Sequence, residues 1–95
     1  MTEIARIISA EVIMQGVLKV AWNDDYVGVV DLRPVIARGN MFALLAAAAR
    51  FNAFAIGEHG HALIWTTAEG QEIDFGSGSL RKRAETQAEL HRLAG

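Results

Sequence analysis

The stretch Tyr26-Val-Gly-Val-Val-Asp-Leu-Arg-Pro34 decides how this chain folds. Valine and tyrosine favour a pleated, packed surface, so the stretch predicts a mostly buried strand that ends at the only proline of the sequence. A residue that precedes proline is pushed toward extended geometry, and Arg33 is therefore expected to close the strand. The segments before this stretch have the pattern of strands that pair with it, and those after it predict helix and hairpin.

Two segments of alternating apolar residues precede this strand, at 7–14 and 17–22. Alternation with a period of two is typical of strands with one buried face. The Gln15-Gly16 pair between them is a tight-turn signal, because glycine adopts positive φ without steric cost. The polar run 23–25 is a second turn signal. The three segments together predict a three-stranded antiparallel meander.

The period of the apolar residues changes after Pro34. Residues 34–38, followed by Gly39, predict a single helical turn with a glycine stop. Asn40 is expected to cap a central helix over 41–50, because the alanine run there has the highest helix propensity in the chain.

The second half of the chain predicts more strands, at 51–56, 62–66 and 71–75. Residues 76–79, Gly-Ser-Gly-Ser, predict a flexible joint. Ser79 is a suitable N-cap for a closing helix from Leu80 to about Leu93.

The predicted fold class is α+β: an antiparallel three-stranded meander, a short central helix, a second β-ribbon and a C-terminal helix. We expect one domain over residues 1–95, with an α+β core at 1–78 and the C-terminal helix at 79–94.

The composition limits the possible functions. A chain of 95 residues that is 52% hydrophobic can build one core, and no apolar run approaches the roughly 20 residues of a membrane helix. Without cysteine there is neither a disulfide framework nor thiol chemistry. Residues 1–3 lack the features of a signal peptide, so a cytoplasmic location is expected. A net charge of −2 gives no global attraction to nucleic acid or to an anionic membrane.

Three features occur in order along the chain: Gly-Val-Val-Asp-Leu at 28–32 with Pro34 after it, Ile64-Trp65 before a glycine-centred turn, and Ile73-Asp74 followed by Leu80. Over about residues 7–80 the chain resembles a family of small bacterial domains of unknown function. The resemblance implies a compact α+β domain of meander type with no assigned activity. Some family members look like one half of toxin–antitoxin-like gene pairs, and some carry a helix-turn-helix domain. An antitoxin-like role is thus among the functions that the resemblance implies.

His59 and His61 have the residue type and proximity of metal ligands. A catalytic zinc site needs three protein ligands, so His91 or Asp74 would have to supply the third. The alternative is a solvated hairpin tip in which Gly60 makes the turn.

A second candidate site lies where the C-terminal helix is predicted to begin. Its residues are Ser77, Ser79, Arg81, Lys82 and Arg83. A glycine-flanked loop at a helix start offers free N–H groups to an anion, and the basic run adds positive charge, which predicts phosphate or nucleic-acid binding. The alternative is structural, since Arg81 precedes Glu85 by four residues and the two can form an exposed ion pair.

Catalysis is not predicted. Glu72 and Asp74 share a strand face, but carboxylates on an alternating strand more often face water than act as acid and base. The sequence has no nucleophile elbow, P-loop or dinucleotide fingerprint, so neither an enzyme nor a cofactor is expected. The leading interpretation is a non-enzymatic protein-interaction or regulatory module. Nucleic-acid or phosphate binding by the basic run and metal-dependent hydrolysis at the two histidines are the alternatives.

A second copy of the chain is the first expected partner, and a second small protein is another. Strict alternation in the first strand places Ile7 and Ile13 on the face opposite Ile8, so both faces need cover. An isologous dimer supplies that cover with one gene product. The C-terminal helix offers a second surface through a stripe that begins with Leu80 and Ala84. The predicted self-association residues are therefore Ile7, Ile13, Leu80 and Ala84.

Overall fold

The computed structural model describes residues 5–67 and 69–94, and it has the predicted α+β class. The first sheet is an antiparallel meander of β1 (Ile7–Met14), β2 (Val17–Trp22) and β3 (Val27–Asp31), in that order. The second sheet is also antiparallel and contains β4 (Ala55–Ile56), β5 (Ala62–Thr66) and β6 (Glu72–Gly76). The predicted β-ribbon is thus a three-stranded sheet.

The helices are α1 (Arg33–Ala37), a 3-10 helix (Asn40–Ala46), α2 (Ala48–Phe51), a 3-10 turn (Glu58–Gly60) and α3 (Ser77–Ala94). Arg33 opens α1 instead of closing the strand, because Pro34 occupies the first turn, where its missing N–H has no intrahelical partner. In the described part of the chain, no helix is long and apolar enough to cross a membrane.

The predicted central helix is broken in two. Ala47, with ψ of 128°, separates the 3-10 helix from α2, and Gly39, not Asn40, occupies the N-cap position. The Asn40 side chain lies outside the described part of the structure. Residues 46–50 are exposed, so a continuous helix would gain little from packing here, and a short helix without packing is marginal. The Gln15 side chain donates hydrogen bonds to the carbonyl oxygens of Leu45 and Ala46 at the break. The break brings Phe51 into the core, where its carbonyl oxygen accepts a hydrogen bond of 2.8 Å from the Trp65 indole.

Two register irregularities in β1 change which side chains face inward. Ile7 pairs with Trp22 and Ser9 with Ala21, so Ile8 is an extra residue between the two pairs. An extra residue reverses the alternation, and Ile7 is consequently buried, with 3% of its surface exposed. A second irregularity lies at Ile13. The predicted placement of Ile7 on the uncovered face is therefore corrected.

The core lies on one side of the first sheet, which we call the inner face. Leu18, Val20 and Val30 are buried there. They belong to one hydrophobic cluster with residues of the second sheet and of α3, among them Leu63, Trp65, Ile73, Leu80 and Ala84. We call the opposite side, which carries Glu11, Lys19 and Val29, the outer face.

The start of α3 is anchored in this core. The Trp22 indole N–H donates a hydrogen bond of 3.1 Å to the Ser77 hydroxyl, which in turn donates to the carbonyl oxygen of Ala5. Gly76 closes β6, and α3 begins at Ser77, two residues before the predicted cap at Ser79. The predicted flexible joint is thus a direct strand-to-helix transition that includes a buried serine.

Helix α3 approaches β3 closely at Gly28. A Cβ atom built on Gly28 would lie 2.8 Å from the Cβ of Ala84, closer than real Cβ contacts. Only glycine therefore permits this separation of helix and strand.

We expect Gly28→Ala to destabilise the protein by about 1–3 kcal/mol, because α3 has to move away from the sheet. Urea unfolding measures the change in free energy. Ala84→Gly in the same chain should recover part of the loss, which a double-mutant cycle separates from the intrinsic cost of glycine in a helix. Gly76→Ala is the matched control, since no atom lies within 4 Å of its added Cβ; equal costs at both positions would contradict the steric explanation.

Candidate functional site

The outer face of the first sheet concentrates exposed apolar side chains. Among the described residues, eight large apolar side chains are exposed, and five of them belong to this one sheet. They are Ile8 (62%), Ile13 (52%), Met14 (53%), Val27 (53%) and Val29 (46%). The strand register places Met14, Val27 and Val29 on the outer face, and Ile8 and Ile13 lie at the two irregularities of β1. Scattered exposed apolar residues are normal, but a group of them on one face is typical of an interaction surface.

An acid and a base occupy the middle of the outer face. Glu11 lies directly opposite Lys19 in the strand register, and their Oε1 and Nζ atoms are 3.8 Å apart. Both side chains are mostly exposed, so the pair contributes about 0–1 kcal/mol to stability. Ser9 and Ala21 form the adjacent cross-strand pair. Small and polar side chains thus fill the centre of the face, and apolar side chains surround them.

The outer face continues around the edge of the sheet. β3 is an edge strand, and the Gln87 side-chain oxygen accepts a hydrogen bond of 2.8 Å from the Asp31 backbone N–H. Between this edge and α3 lies an open groove of about 540 Å³, lined in part by Val27, Val29 and Ala88. The apolar surface therefore extends from β1 across β3 to α3.

The structure divides the predicted anion-binding residues into two groups. Arg81 forms ion pairs of 2.8 Å with Asp24 and with Glu85, and its guanidinium lies 4.0 Å from the centre of the Tyr26 ring. Ser77 is buried in its hydrogen bonds to Trp22 and Ala5. Arg81 and Ser77 therefore have structural roles.

Ser79, Lys82 and Arg83 remain near one another on the other side of α3. With Thr86 they line a groove of about 520 Å³ between α3 and Pro34. No ion pair of Lys82 or Arg83 is found within residues 5–67 and 69–94. Asp31, in the same groove, is paired with Arg33 at 2.8 Å. The groove thus has two cations that are available to an anion.

The two histidines of the predicted metal site lie in a turn that packs against β1. Their ring centres are 6.0 Å apart, and His59 Nε2 lies 3.3 Å from a Glu58 oxygen. A Cβ on Gly60 would come within 2.4 Å of the Ile7 carbonyl oxygen, so the loop requires glycine there. No group of three His, Cys, Asp or Glu side chains that could hold a metal occurs in the described part of the chain. Neither His91 nor Asp74 therefore completes the predicted site.

The predicted self-association residues are mostly inside the protein. Ile7, Leu80 and Ala84 belong to its core, so they present no surface to a partner, and this part of the prediction is corrected. Ile13 is exposed as expected. Val27 and Val29 were not among the predicted residues, although they alternate with Gly28 and Val30 in a strand that is apolar on both faces.

The Arg81 hydrogen bond holds the pKa of Asp24 below its ordinary value of 3.8. Because folding lowers this pKa, the pair stabilises the folded state above about pH 4, and the contribution is lost as the pH falls through the folded-state pKa. In Arg81→Gln we expect NMR titration of the Asp24 carboxyl to show a pKa closer to 3.8. In the control Arg83→Gln the Asp24 pKa should stay low. A low pKa that survives in Arg81→Gln would disprove the assigned cause.

Comparison with known proteins identifies no relative. No protein family, no curated protein and no solved structure matches this chain. The resemblance noted in the sequence stays a prediction, and the geometry of the outer face carries the functional argument.

Proposed function

We propose that this protein is a non-enzymatic protein-interaction module that binds a protein partner through the outer face of the first sheet. The observation that supports this is the group of five exposed apolar side chains on one sheet. Exposed apolar side chains that are grouped on one surface mark interaction sites more often than single exposed residues do. The resemblance to the bacterial family adds a regulatory, antitoxin-like role to the proposal.

The expected affinity follows from the size of the face. Fully burying a large aliphatic side chain contributes about 1.5–3 kcal/mol, so five side chains that are about half exposed contribute about 4–8 kcal/mol. Association costs at least about 4 kcal/mol in lost translation and rotation. The apolar contacts alone therefore support weak binding, and tighter binding requires that the partner also match the polar centre of the face.

The apolar group can be tested by one substitution and a matched control. Val29→Glu places a charge on the outer face, whereas Ile56→Glu makes the same kind of change on the exposed β4. We expect co-purification of a tagged chain from the native cell to show a protein, the untagged chain itself included, that wild type and Ile56→Glu retain and Val29→Glu loses by about tenfold or more, about 1.4 kcal/mol. The same co-purifying proteins with all three chains would argue against this surface.

A second candidate function is the binding of a phosphate-bearing ligand, such as a nucleic acid, in the groove beside Lys82 and Arg83. The observation that favours it is the pair of cations with two hydroxyl side chains, Ser79 and Thr86, in one groove.

If this second function is correct, a fluorescent oligonucleotide should bind at low ionic strength, with a salt slope of about −2 for two phosphate contacts. The double substitution Lys82→Ala and Arg83→Ala should abolish binding. Arg81→Ala should leave it largely intact, because Arg81 is paired with Asp24 and Glu85. Binding that depends on Arg81 and not on Lys82, or no binding at low salt, would exclude the groove.

A further inference from the structure

The charges of the outer face are balanced within that face. Glu11 and Lys19 oppose one another at its centre, and at its rim Asp31 is paired with Arg33. Each acid is thus accompanied by a base. A partner with charge of a single sign would face one like charge in every such pair, and like charges in contact oppose binding.

A second copy of the chain carries the same acid and the same base on its outer face. In an isologous contact, residue i of one protomer meets residue j of the other, and residue j meets residue i. A two-fold axis that passes between Glu11 and Lys19 places each acid beside the base of the other copy. The central charges then form two ion pairs between protomers.

We infer that the partner of the outer face is a second copy of this chain, packed sheet against sheet around the Glu11–Lys19 pair. The inference rests on the proposed function, since it uses the same face. Two sheets pack about 10 Å apart, and the small side chains Ser9 and Ala21 beside the charges permit that approach. Val29, which lies opposite Lys19 on β3, then borders the charges and limits the access of water.

The area of the contact limits its strength. An axis between β1 and β2 lays these two strands over those of the second copy, and β1 has 8 residues. A strand of that length spans about 26 Å at ~3.3 Å per residue, and two strands span about 10 Å. This overlap is smaller than the ~800 Å² that each partner buries in a standard interface, so the dimer is expected to be weak and to dissociate on dilution.

Charge reversal tests the arrangement. Lys19→Glu makes the centre of the face wholly acidic, and Glu11→Lys makes it wholly basic. In sedimentation over a concentration series, we expect each variant alone to dimerise at least about tenfold more weakly than wild type, about 1.4 kcal/mol. An equimolar mixture of the two should form a heterodimer, and the double reversal in one chain should restore the homodimer.

Control variants distinguish the loss of the interface charges from unfolding and from charge changes elsewhere on the surface. Arg38→Glu and Glu72→Lys are the same reversals at exposed positions outside the first sheet and should dimerise as wild type does. Circular dichroism and urea unfolding should show that Lys19→Glu and Glu11→Lys remain folded, since their pair is exposed. If a reversal unfolds the chain, the neutral variants Glu11→Gln and Lys19→Gln replace it, each expected to weaken the dimer.

Two outcomes overturn the inference. One is a wild-type protein that stays monomeric throughout the series, and the other is a dimer that neither reversal weakens. The proposed function is judged separately, because a partner that Val29→Glu loses and Ile56→Glu keeps would support the outer face even for a monomeric protein.

Discussion

The hydrogen bond from the Trp22 indole to the Ser77 hydroxyl joins the two halves of the structure. Trp22 ends the second strand of the meander, and Ser77 begins the closing helix 55 positions later. Both groups are buried, and a buried polar group that loses its partner costs about 1–3 kcal/mol. The Ser77 hydroxyl satisfies two polar groups, because it accepts a hydrogen bond from the Trp22 indole and donates one to the carbonyl oxygen of Ala5. These hydrogen bonds fix where α3 begins. From this point the helix runs past Gly28 and along the edge of β3.

This anchoring gathers the packed elements on one face of the first sheet. The second sheet and α3 both contribute to the cluster on the inner face, whereas Val27 and Val29 on the outer face are exposed. Antiparallel sheets tolerate one face in water when that face is polar. Here the centre of the outer face is polar, but Val27 and Val29 are not. The outer face thus combines a charged centre with exposed apolar side chains.

The sequence predicts those features of the fold that depend on local pattern. The meander follows from alternation and turn residues, and its three strands are found where the pattern places them. The irregularity at Ile8 could not be predicted, because Ile-Ile-Ser fits either register and only the burial of Ile7 against Trp22 selects one. The break at Ala47 was not predicted for a related reason. Helix propensity favours one continuous helix, whereas the burial of Phe51 requires a turn. The role of Ser77 depends on Trp22, which is far away in sequence.

The same limit applies to the candidate site. Composition and spacing pointed to His59, His61 and the basic run, because those residue types have recognisable chemistry. In the structure, Gly60 and Arg81 have packing roles. The candidate site is instead the outer face of the first sheet, which is built from ordinary strand residues. Glu11 and Lys19 have no motif, and their relation appears only through the register of β1 and β2. An exposed pair of this kind contributes little to the stability of one chain. Its energetic value rises only when water is excluded around it, which is the condition that a second sheet packed on the outer face would create.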